Sequence, residues 1–130
     1  MLVRALRNAA HDEASEADHA AVADVLIEAN RGAGSGDEAA NARRVAERFG
    51  RALRVVIESG TPWRDALAAF VKILGAGSLI GDADDLELFP TARANPTTLR
   101  IAEASLRRVL PATPVKGLRV SGAAFSHPPA

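Results

Sequence analysis

Cysteine is absent from this 130-residue chain, which excludes a disulfide framework and any thiolate metal site. Tyrosine is absent too, and the aromatics amount to four Phe and one Trp, so a strand-rich fold would lack its usual aromatic supply. No apolar run approaches the ~18 residues that span a bilayer, and the opening MLVRALRNAA contains no apolar stretch of signal-peptide length. A cytoplasmic protein without membrane contact is the expectation. Neither charge is in excess, since 16 basic residues balance 16 acidic ones, and this disfavours a uniformly cationic nucleic-acid binder. Lysine is nearly missing: Lys72 and Lys116 stand among arginines. With the alanine excess, that bias is the one a GC-rich bacterial or phage genome imposes.

What is present is alanine. Of the 48% apolar residues, 28 are Ala and 34 are the larger Val, Ile, Leu, Met, Phe and Trp. Alanine is the best helix former and buries little area, so the composition favours closely approaching helices over a thick sheet-based core. The length suits one domain. Charge runs in blocks of alternating sign: Met1 to Asn30 is net −4, Arg31 to Ala76 net +3, Gly77 to Ala92 net −4, and Arg93 to Ala130 net +5. Such blocks can attract one another within a fold or across a subunit contact.

The periodicity of apolar residues predicts a short helix over Leu2 to Ala10 and a longer one over Ser15 to Asn30, with acidic residues in its opening turn. RGAGSG is a linker, followed by a long helix from Ser35–Asp37 to Ser59 interrupted by Gly50. Gly60-Thr61-Pro62 ends that helix and opens another, Pro62 to Leu74, an arrangement that predicts a central hairpin of these two helices. GAGSLIGDADDLELFPTARANP reads as an irregular segment, and Asn95-Pro96 opens a last helix that runs to Leu110. The expected fold is all-α: a small bundle of four to five helices over residues 1–110. Residues 111–130 form an irregular, proline-rich, extended tail, with Leu118 to Val120 as a possible short strand.

Several residue groups carry chemistry on paper. Glu16 and His19 form a Glu-x-x-His pair, the helical spacing that di-iron bundles use; one pair is half of what such a centre needs, so a symmetric dimer would have to supply the other. Arg44, Arg48 and Arg51 fall on one stripe of the long helix, flanked by Arg43 and Arg54. They suit an acidic partner surface or a phosphate backbone, unless Glu47 pairs with them on a solvated face. Arg100, Arg107 and Arg108 make a smaller basic face. Asp82, Asp84, Asp85 and Glu87 lack calcium-loop spacing but suit an acidic docking loop with Leu86, Leu88 and Phe89 as apolar anchors, or a loop folded back on the arginine-rich helix. The glycine loops Gly32 to Gly36 and Gly75 to Gly77 lack the strand–loop–helix context of phosphate cradles. A helix-turn-helix is disfavoured because the tightly turned second helix is mostly apolar. No serine sits in a nucleophile elbow, and His11, His19 and His127 lie in segments expected to be exposed.

These readings converge on a non-enzymatic protein-protein interaction, adaptor or assembly module that self-associates, with Arg44, Arg48, Arg51, Leu86, Leu88 and Phe89 as partner-binding residues. No catalytic residue and no cofactor is assigned. Two alternatives stand beside it: a metal-binding helical enzyme or metal store using Glu16 and His19 across a dimer, and a nucleic-acid-associated regulator using the arginine-rich face.

Overall fold

The computed structural model describes residues 1–31, 36–113 and 115–121. Most of the glycine linker (32–35), Pro114 and the segment 122–130 with His127 lie outside the described residues. Five helices follow the apolar periodicity: α1 Leu2–Ala10, α2 Glu16–Asn30, α3 Glu38–Glu58, α4 Trp63–Leu74 and α5 Pro96–Val109. Their ends are set by local chemistry. Ser15 caps α2 through a reciprocal box, its hydroxyl accepting from the Asp18 N–H while the Asp18 carboxylate accepts from the Ser15 N–H. Asn95 caps α5 by accepting from the Thr97 N–H at 2.8 Å, with Pro96 in the first turn. Gly75 ends α4 in the left-handed conformation at φ +70°. Thr61 is buried and makes no capping bond; Pro62 itself precedes the first turn of α4.

The all-α expectation is overturned by a three-stranded sheet. Strands β1 (Gly77–Gly81) and β2 (Asp85–Pro90) form an antiparallel hairpin, and β3 (Gly117–Val120) joins β2 in parallel after the crossover through α5, giving the order β1-β2-β3. The molecule is mostly helical but α+β in arrangement, and the possible short strand at Leu118 to Val120 within the expected tail is the third strand, Gly117–Val120. The cause lies in the residues taken for irregular punctuation. Gly77 and Gly81 have φ of +152° and +146°, and a Cβ at either would collide with the Phe89 or Asp85 carbonyl oxygen of the facing strand. Asp82 Oδ1 accepts from the N–H groups of Asp84 and Asp85, which folds the connecting turn on itself. Along β2, Leu86 and Leu88 point into the core while Phe89 is exposed, the period of two that a half-buried strand requires.

The core is continuous across helices and sheet. Phe49 of α3 and Phe70 of α4 meet at its centre, ring centroids 5.3 Å apart and tilted by 53°, close to the geometry aromatic pairs prefer. Helix α3 is the axis of the molecule, but its main partner is α5, followed by α2 and α1; α4 packs chiefly on α1. The expected central hairpin of α3 and α4 is therefore replaced by a pairing of helices distant in sequence. Gly50 shows why. A Cβ there would stand 3.3 Å from Arg108 Cδ, so α3 stays continuous and its glycine admits α5 at close range. Ser105, fully buried at that crossing, shares its hydroxyl between the carbonyls of Ile101 and Ala46. The sheet lies over α4 and α5, with Leu86, Leu88 and Leu118 facing inward. Among the described residues no helix is long and apolar enough to cross a membrane.

Candidate functional site

On α3, positions 44, 48, 51 and 55 recur at four, seven and eleven residues and so share one stripe. That stripe runs along the side of α3 facing α1 and α2. Between these three helices lies an open trough of about 380 Å³. Its floor is Ala21 and Val25 from α2 and Ala52 from α3, each nearly buried, and its walls include Met1, Leu2, Val3 and Val55. Val55 is 47% exposed and Met1 78%, unusual for large apolar side chains in a structure whose other Val and Leu residues are largely packed. Arg48 and Arg51 stand on the rim. Small alanines on facing helices keep the depression open, since a larger side chain would fill it.

The arginines differ in what they hold. Arg48 meets Glu28 of α2 at 2.7 Å in a half-exposed ion pair. Arg51 has no partner among the described residues, so its guanidinium stands free beside the trough. Arg44 bonds Asn41 on its own helix, and lies away from the trough with Arg31 and Arg43 around a second, polar depression. Arg54 donates to the Arg108 carbonyl at 2.7 Å, satisfying the end of α5. Glu47 does not pair along its own helix; it accepts from Arg108 of α5 at 3.2 Å. Arg107 is engaged as well, with Glu103 at 2.9 Å and the Leu118 carbonyl at 3.1 Å. Of the three stripe arginines named from sequence, Arg48 and Arg51 thus come together at an apolar surface and Arg44 does not.

The acidic segment falls elsewhere. Leu86 and Leu88 are buried beneath the sheet and are held by the core, while Phe89, 38% exposed, remains on the outer face. Asp85 and Glu87 are bridged across the strands by Arg119 at 3.1 and 3.4 Å, so this segment answers to its own third strand and not to α3. Glu16 and His19 are both exposed on α2, and no described residues form a group of three or more potential metal-binding side chains. His11 is exposed too. Trp63 is half-buried against the core, with the Arg64 guanidinium 5.5 Å from its ring centroid.

The acid that matters to the trough is one that sequence reasoning passed over. Asp18, 1% exposed, accepts from Asn8 Nδ2 at 2.9 Å and from Arg4 Nε at 3.2 Å, both on α1, as well as from the Ser15 N–H at 3.1 Å. It therefore fastens α1 to α2, two of the three helices that border the trough. The Asn8 amide and the Ser15 backbone N–H hold its carboxyl down from 3.8 to about 2, helped by the Ser15 hydroxyl and Arg4 and opposed by burial. The sequence signal was the Ser15-x-x-Asp18 capping box, which places the carboxylate on the inner side of the first turn. No family model, curated protein or solved structure matches the chain.

Proposed function

We propose that this chain is a non-enzymatic docking module that receives an acidic, amphipathic helical segment of a partner protein in the trough between α1, α2 and α3. The observation that carries this reading is the conjunction of an apolar floor, exposed Val55, and an unpartnered Arg51 on the rim. A helix laid in a groove presents apolar residues at three- and four-residue spacing and charged residues on its flanks. The floor suits the former. Arg48 and Arg51 suit carboxylates on the latter, because guanidinium groups form bidentate, orientation-fixing contacts with them. Glu28 is a removable counter-ion to Arg48: half-exposed pairs of this kind contribute about 0.5 kcal/mol, so exchange for a partner carboxylate costs little. A protein partner is favoured over nucleic acid because Glu28 already stands against Arg48, Val55 and the apolar floor lie between the charges, and the net charge is zero. A cytoplasmic setting, in which a cysteine-free chain loses nothing, goes with this reading.

The test is selection of peptides from a random display library on the immobilised chain, counter-selected on a Val55→Asp/Arg51→Glu variant. Enrichment of sequences with apolar residues at helical spacing flanked by Asp and Glu is expected, with affinities in the micromolar range. Enrichment of basic sequences, or of peptides that bind the variant equally well, defeats the proposal.

A further inference from the structure

Helices α3 and α5 run side by side in the same direction. Thr97 meets Glu38 near their beginnings, Ser105 meets Ala46 further along, and Arg108 reaches Glu47 and lies over Gly50. From Ser105 onward the seam is closed by polar groups tied across it. Ahead of Ser105 it opens into a cavity of about 510 Å³. One bank is Ala39, Ala42 and Arg43 of α3, the other Thr97, Arg100 and Ala104 of α5, with Gly36 and Glu38 at the end where both helices begin. None of the three alanines is buried, so their methyl groups form a shallow apolar floor.

Neither arginine on the banks has a counter-ion, and the cause lies on its own helix. Arg43 has Glu47 four residues on, a spacing that pairs opposite charges, but Glu47 accepts from Arg108 at 3.2 Å. Arg100 has Glu103 three residues on, but Glu103 holds Arg107 at 2.9 Å. Arg43 is left with no partner among the described residues, and Arg100 has only the Pro96 carbonyl of its own helix, 3.5 Å from Nε. The one acid lining the cavity is Glu38, whose carboxylate accepts from the hydroxyl of buried Thr97 at 3.1 Å and is held at the end. Two guanidiniums against one carboxylate leave a single positive charge to balance.

We propose that this cavity binds a small organic monocarboxylate with a planar apolar body, its head between Arg43 and Arg100 and its body on Ala39, Ala42 and Ala104. Size selects a small molecule. The cavity spans residues 36–43 and 97–104, about two helical turns or ~10 Å, and its volume is that of ordinary small-molecule sites. A docked helix would have to continue past Ser105, where the bond to the Ala46 carbonyl shuts the seam. Charge selects the head, because one surplus positive charge matches a carboxylate and not the nearly two negative charges of a phosphate monoester. The guanidiniums select the body as well, since they grip carboxylates bidentately and stack on aromatic faces. The site shares no residue with the trough, and the inference does not rest on it.

Methyl NMR of the full chain carrying isotopically labelled alanine, titrated with naphthoate, reads the site residue by residue. Saturable shifts of the Ala39, Ala42 and Ala104 methyls are expected at millimolar concentration or below, with Ala21 and Ala52 of the trough unmoved. Naphthamide, the same body without the charge, is expected to bind at least about tenfold more weakly. Arg43→Gln/Arg100→Gln changes two exposed side chains and is expected to weaken naphthoate by a similar factor while the rest of the spectrum stays native. Ala42→Leu keeps both arginines, fills the floor and is expected to exclude naphthoate. A titration without shifts at the three floor methyls overturns the proposal. Equal binding of the amide, or binding that survives both variants, overturns it too. Shifts at Ala21 and Ala52 instead would assign the carboxylate to the trough. Phenyl phosphate displacing naphthoate at lower concentration would overturn the choice of a singly charged ligand.

Discussion

The two flanks of α3 are built from similar residues to opposite effect. On the α5 side, Ala46, Gly50 and Ser105 let the helices approach until Arg108 carbons touch the glycine, and Glu47, Arg54 and Arg108 close the seam with an ion pair and a capping bond. On the α1 and α2 side, Ala21 and Ala52 are equally small, yet the space above them is left open and flanked by Arg48 and Arg51. Small residues in one case let two helices meet across Gly50 and in the other floor an apolar depression between three helices. Glu47 and Arg108 tie the α5 seam across Gly50, whereas on the other flank Arg48 meets Glu28 and Arg51 meets no partner among the described residues.

That contrast can be broken from either side. Gly50→Leu inserts a branched side chain where a bare Cβ already sits 3.3 Å from Arg108 Cδ, and urea denaturation is expected to show a loss of about 3 kcal/mol. In the sheet, Gly77→Ala strains a φ of +152° and drives a methyl group onto the Phe89 carbonyl, at an expected cost of about 2 kcal/mol. Its loss should appear in hydrogen exchange of the hairpin amides before those of α3.

Asp18 tests what holds the open flank in shape. Its pKa is lowered on folding, so its contribution is full above the unfolded value near 3.8 and is lost as pH falls through about 2. Asp18→Asn is expected to melt below the native chain at pH 7, by less than either glycine variant, with the two melting temperatures converging as pH falls from 4 toward 2. A constant gap across that window would show that the carboxylate charge is not what joins α1 to α2.

The smallest expected stability change belongs to the trough. Val55→Asp replaces a half-exposed residue with no core contact to lose, and its unfolding midpoint should stay within about 0.5 kcal/mol of native. A large destabilisation there would make the trough an ordinary part of the core.

How far these features can be read from residues follows from their range. Helix spans depend on local periodicity and caps, and Ser15, Asn95 and Gly75 mark their ends within the chain itself. The hairpin was hidden because its glycines serve a strand opposite, not the turn beside them: Gly77 answers to Phe89 and Gly81 to Asp85. Leu86-x-Leu88 carried the alternating signal, but in a run too short to stand against the surrounding glycines, prolines and acids. β3 shows in the sequence as a possible short strand at Leu118 to Val120, but its place in a sheet depends on a partner more than twenty-five positions earlier. The arginine stripe was legible as a stripe; that two of its members border an apolar trough depends on where α1 and α2 come to lie, which rests on core packing and on the bonds from Arg4 and Asn8 to Asp18. An acidic neighbourhood makes Leu86 and Leu88 look solvated, although alternate residues of one strand face opposite ways.

The most direct measurement is isothermal titration of a trough-selected acidic peptide into the native chain and into Val55→Asp, with urea midpoints recorded on the same samples. The account predicts micromolar binding to the native chain, at least about tenfold weaker binding to the variant, and coincident midpoints. Equal affinities, or a midpoint that falls together with affinity, would contradict it.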